Sequence, residues 1–200
     1  AFDKHAREAM MPGSLVVIAG ESGRGKTALL TQLAVAFTSQ VPVLAITLED
    51  RAQATLKRAL ANMTRMHVGR IRAGFAGEDG IPKAVYDAAD RLAAADIDFI
   101  DGVALTAEQI AAQVWHWKRE RDVEFAAVII DQLSHISPSS RVNADYFRSR
   151  NLPVPPPENS PETRLLEWQA WMLKTVAERL GVCVVLAHQL NESHGDGKPT

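Results

Sequence analysis

The chain has 200 residues, 46% hydrophobic and 23% charged, a balance that supports one ordinary domain burying about 70% of its unfolded surface and excludes collagen, coiled-coil and wholly disordered chains. A net charge of −2 excludes a blanket polyanion-binding surface, so any nucleic-acid contact must be local. Apolar runs such as 126–130 and 182–187 fall short of the ~18 residues of a membrane span, residues 1–10 carry Asp3, Lys4, Arg7 and Glu8 where a secretory signal would be apolar, and the single Cys183 excludes a disulfide framework and suits a reducing, cytoplasmic compartment.

In chain order, 15–19 is a β-branched run ending in glycine, read as a buried parallel strand. Gly20-Glu21-Ser22-Gly23-Arg24-Gly25-Lys26-Thr27 follows, with Ala28 continuing into a helix predicted over 26–39. This is the P-loop pattern of glycine, four residues, then glycine, lysine and a hydroxyl residue. The glycines let backbone N–H groups wrap a β-phosphate, the helix points its positive end at the anion, Lys26 reaches the β and γ oxygens, and Thr27 ligates Mg²⁺. A second buried strand at 43–48 leads into Glu49. In an open parallel sheet the C-terminal strand ends face one crevice, which places Glu49 near a γ-phosphate to orient a water for in-line attack. Asp50 is expected to cap the helix over 51–62.

Gly77-Glu78-Asp79-Gly80 reads as a turn before a helix over 82–95 and a weaker strand at 98–100. Thr106 and Gln109 form a capping box opening a helix over 106–121. Its end, Lys118-Arg119-Glu120-Arg121-Asp122, reads as a solvated terminus. The strand at 125–130 runs into Asp131, an apolar run closed by an acid that would hold Mg²⁺ through water beside Thr27. Residues 138–161 hold six of the ten prolines, a loop longer than the ~12 to 15 residues usual for a connection. Its Arg141, Arg148 and Arg150 surround Tyr146 and Phe147, which fits either a grip on single-stranded DNA or a solvated, proline-stiffened insertion. A helix over 161–180 and a strand over 182–187 lead to His188 and Gln189. Gln189, neutral with both a donor and an acceptor, suits a γ-phosphate sensor. Read alone, Glu49 and Gln189 also fit strand ends that are polar because they reach water. None of the six histidines is paired at helical spacing with a third ligand in view, and the four tryptophans read as packing. The alternation predicts an α/β fold with a mainly parallel sheet flanked by helices.

These elements in this order resemble the C-terminal RecA-like ATPase domain of DnaB-type replicative helicases, along most of the chain. Pro12-Gly13-Ser14-Leu15-Val16-Val17-Ile18 looks like the family's lead-in to the P-loop. Thr47-Leu48-Glu49-Asp50 is similar to its Ser-Leu-Glu-Met signature, whose glutamate is the catalytic base. Arg58 matches the arginine of the following helix, Leu173-Lys174 a Leu-Lys pair, and Gln189-Leu190-Asn191 the Gln-Leu-Asn sensor. The resemblance implies a P-loop NTPase using ATP and Mg²⁺, with Lys26, Glu49 and Gln189 as catalytic residues and Arg58 at the nucleotide. It also implies a motor on single-stranded DNA, a homo-hexameric ring, and a primase or helicase loader as partner. Gln132 and His188 depart from the family's Tyr and Ser. The chain ends at Lys198-Pro199-Thr200, ahead of the family's DNA-contacting loop and arginine finger, so 1–200 reads as a motor domain truncated at its C-terminus. A RecA/RadA-like or KaiC-like ATPase, or a binding module switched by nucleotide, shares the same strand-end pattern.

Overall fold

Apolar runs flanked by amphipathic segments can bury both faces only between two layers of helices, and that is the arrangement found. A computed structural model describes residues 10–77, 80–101, 104–138, 148–149 and 153–190. The elements are β1 (Leu15–Gly20), α1 (Lys26–Phe37), β2 (Val43–Thr47), α2 (Ala52–Thr64), α3 (Val68–Arg72), α4 (Lys83–Ala93), β3 (Ile97–Asp101), α5 (Ala107–Arg121), β4 (Ala126–Asp131), a 3-10 turn (Leu133–His135), α6 (Glu162–Leu180) and β5 (Val182–Gln189). All strands are parallel, in the order β1-β5-β4-β2-β3. Among the described residues no helix is long and apolar enough to cross a membrane.

Alternate residues of the central strands pack on opposite faces. Leu44, Ile46, Val128, Ile130, Val184 and Leu186 meet α5 and α6 through Ile110, Val114 and Leu173. Val43, Ala127, Ile129, Cys183, Val185 and Ala187 meet α1 through Leu30 and Ala34. Burial pushes the Cys183 thiol up to about 11, which leaves it an inert core residue at neutral pH. The capping box of α5 is present: the Thr106 hydroxyl accepts from Gln109 N, and Gln109 Oε1 accepts from Thr106 N at 2.8 Å.

Register decides what the sheet edge holds. Gly20 lies opposite Gln189, and Thr47 opposite both Asp131 and Asp101, so four strand exits carrying predicted site residues converge. The same register overturns one expectation. Asp50 does not cap α2; its Oδ2 lies 2.6 Å from Arg58 Nη1. Asp101 Oδ2 instead accepts from Ala52 N at 2.6 Å, because β3 ends level with β2 and sets its last acid over the helix start. The end of α5 is likewise more than a solvated terminus. Arg121 pairs with Asp96 and Asp98, the Trp117 indole donates to Asp98 at 2.6 Å, and Lys118 donates to the Leu180 carbonyl at the end of α6. These contacts pin an edge strand and cap a neighbouring helix. The five-residue α3 is too short for periodicity to announce.

Of the 138–161 loop, Arg141, Tyr146, Phe147 and Arg150 lie outside the described residues, as do Glu78 and Asp79 of the predicted turn. The loop's root is well held. Ser137 N donates to Leu105 O at 2.8 Å, and the buried Gln169 of α6 donates from Nε2 to Ile136 O at 2.8 Å.

Candidate nucleotide site

The loop from Gly20 to Lys26 has the backbone that a phosphate cradle requires. Gly23 and Gly25 take φ of 71° and 87°, with open space where a Cβ would stand. Conformation rather than crowding therefore demands glycine at both. Gly25 precedes α1 and no side chain caps the helix start, which leaves the first-turn N–H groups for an anion. Lys26 lies back across the loop, donating from Nζ to Gly20 O at 2.8 Å and Glu21 O at 2.7 Å. An ammonium carries three N–H donors, so one is left for a phosphate oxygen. The Gly20 carbonyl also accepts from Leu190 N at 3.1 Å, joining the loop to the residue after Gln189. Outside the cradle, Arg24 and Glu21 pair at 2.8 Å.

Asp131 sits at the end of β4 with 8% of its surface exposed. The Thr27 hydroxyl lies close enough to its carboxylate to favour the ionised form, while Oδ1 is buried without a partner. Burial pushes the Asp131 carboxyl above its usual range; Thr27 opposes this, Glu49 and Asp50 add to it, and Arg58 opposes it. A buried acid with an orphaned oxygen beside a hydroxyl is a set of hard oxygen donors awaiting a hard cation, so these residues fit Mg²⁺. Among the described residues no three His, Cys, Asp or Glu converge as a cage. The Thr47 hydroxyl, one strand over, is also buried without a partner.

Glu49 follows β2 by two residues. Leu48 N donates to Asp131 O at 2.9 Å, the last rung between the two strand exits, so Glu49 projects just beyond the acid. Its side chain is 52% exposed, and its Oε2 lies 4.0 Å from His135 Nδ1. Gln189 is half-buried at the end of β5, and the neighbouring His188 has Nδ1 buried without a partner. Arg58 is held at Asp50 and lies close enough to Asp131 to favour its ionised form. Sequence reasoning missed His135 and Asp101; neither stands in a motif, and only strand register brings them to the edge. Thr47 stands in the Thr47-Leu48-Glu49-Asp50 signature, which gives it no role of its own.

The Asp131 shift carries a sign. Because its carboxyl is raised in the folded chain, this group's contribution to stability is complete below the ordinary value of 3.8 and is lost as pH rises through the folded value. Asp131→Asn, neutral throughout, is therefore expected to melt higher than the unsubstituted chain at neutral pH in EDTA. The gap should close towards pH 4 or so. Thermal melts across that range check it; a variant that melts lower at neutral pH contradicts it.

The family model for the DnaB-like helicase C terminal domain matches residues 2–199. Among solved structures, a DnaB-like replicative helicase, described together with its interactions with primase, matches with a TM-score of 0.76 at 20% identity, over 92% of this chain and 40% of that one. A second solved structure, described as an ATPase domain, matches with a TM-score of 0.77 at 20% identity, over 96% of this chain and 63% of that one. The chain thus spans less than two thirds of either, and at such identity the likeness speaks to fold. A search of curated protein sequences finds no match.

Proposed function

We propose, because the chain belongs to the DnaB-like helicase C-terminal domain family, that it hydrolyses ATP with Mg²⁺ and uses that cycle to move along single-stranded DNA during replication, as one subunit of a homo-hexameric ring. The observation that carries this reading is the meeting of Thr27, Asp131 and Glu49, from three separate elements, at the mouth of the P-loop. The loop N–H groups and Lys26 bind the β- and γ-phosphates. Thr27 and Asp131 hold Mg²⁺, which neutralises phosphate charge when bound. Glu49 takes a proton from the attacking water and orients it in line. Gln189 reads the γ-phosphate, and the shared Gly20 carbonyl connects that reading to the chain leaving β5. A primase or helicase loader is the kind of partner such a ring takes.

Phosphate release by the chain, with single-stranded oligonucleotide titrated into Mg²⁺–ATP, tests the reading. A rate that climbs with DNA and saturates is the expected result, with strand displacement then separating a helicase from a recombinase. ATP turnover indifferent to DNA would instead indicate an ATPase of other purpose, and binding without turnover a nucleotide switch.

A further inference from the structure

A general base works only while it stays within hydrogen-bond reach of the water it deprotonates, and a misplacement of about 1 Å costs up to ~10² in rate. Glu49 is poorly placed to meet that demand unaided. It lies past the end of β2, its side chain is half in solvent, and Asp131, an acid that feels its charge, shares its surroundings. Arg58, the cation nearest to that acid, is engaged by Asp50. Among the described residues, the basic side chain set against Glu49 is His135, with Nδ1 4.0 Å from Oε2, a pair that is ionic only when the imidazole is protonated.

His135 in turn is carried on a turn held through its backbone and its buried neighbours. Leu133 and Ile136 on either side are buried, at 5% and 3% exposure. His135 N donates to Gln132 O and Ile136 N to Leu133 O, both at 3.1 Å. Gln169 holds the Ile136 carbonyl from α6, and Ser137 N is tied to Leu105 ahead of α5. A turn fixed through its backbone thus presents an imidazole, itself 39% exposed, to a carboxylate held less firmly, and in such a pair the better anchored partner sets the position of the other.

We propose that His135 is a positioning residue for Glu49, its Nδ1 holding Oε2 directly or through one water so that the other carboxylate oxygen is turned to the attacking water. The proposal rests on the reading of Glu49 as the base. It uses a residue outside every motif, on the turn after β4, and it divides the work between two neighbouring strand exits.

Single-turnover ATP hydrolysis by the full chain tests it, alongside nucleotide titrations and thermal melts. His135→Leu, which keeps bulk and loses the nitrogen, is expected to slow hydrolysis by ~10-fold with nucleotide affinity unchanged. His135→Asn, whose amide nitrogen takes the place of Nδ1, should restore the rate to within ~3-fold. If His135→Leu melts early, His135→Ser removes the imidazole without adding apolar surface and repeats the comparison. In a Glu49→Gln background the loss at 135 should disappear, since a residue that acts through Glu49 has nothing left to position. An unchanged rate in folded His135→Leu and His135→Ser overturns the proposal, as does a loss that persists beside Glu49→Gln. Wild-type turnover by Glu49→Gln alone would instead remove the base itself, a separate failure that takes the positioning role with it.

Discussion

Glu49→Gln is expected to lower kcat for ATP hydrolysis by ~10² or more while leaving Mg²⁺–ATP affinity nearly intact. The exchange preserves size and hydrogen bonding but removes the ability to accept a proton. The carboxylate stands outside the cradle, past the end of β2, whereas the phosphate donors come from the loop and the start of α1. Nothing in that arrangement makes Glu49 a binding group for the ground state; its interaction matures as the water attacks. Phosphate release under single-turnover conditions and a titration with a slowly hydrolysed ATP analogue measure the two quantities separately. Equal losses in both would contradict the division of roles.

Lys26→Ala is the complementary case. Its ammonium meets phosphate charge in the bound state as well as in the transition state, so its loss should appear in affinity. Hydrogen bonds to charged groups are worth about 1.5 to 3 kcal/mol, which corresponds to a ~10- to 100-fold weaker Kd. Of the two carbonyls that it holds, that of Glu21 is exposed and that of Gly20, part-buried, keeps its bond from Leu190 N, so the melting temperature should shift little. Calorimetric titration with ATP and with ADP checks the expectation. Wild-type affinity for both would place the phosphates elsewhere.

The strands were legible because buried parallel strands read as continuous apolar runs, and β2, β4 and β5 are each closed by a polar residue where the sheet meets water. The P-loop was legible because its glycine positions answer to backbone conformation, here φ of 71° and 87° at Gly23 and Gly25, which spacing alone can encode. What sequence could not show depends on lateral register. Asp101 caps α2 from a strand about fifty residues away in sequence, and the local rule that favours the nearest acid pointed to Asp50. Arg121 reads as surface charge until β3 is set beside α5. His135 is one of six histidines with no motif around it, and its place opposite Glu49 follows from β2 and β4 being neighbours. Arg58 belongs to the same class: its pairing with Asp50 and its nearness to Asp131 are products of α2 folding over the sheet edge.

We propose that edge as one Mg²⁺–nucleotide site assembled from Lys26, Thr27, Glu49, Asp131 and Gln189, with the orphaned Asp131 oxygen as its metal-facing group. Calorimetric titration of the chain with ATP, once with Mg²⁺ in excess and once with EDTA, tests it most directly. Affinity at least ~10-fold tighter with Mg²⁺ is the expected result, because the ion would join the phosphates to a carboxylate with one oxygen otherwise buried without a partner. Equal affinity with and without Mg²⁺ would show that Thr27 and Asp131 do not hold the metal, and would contradict the site as built.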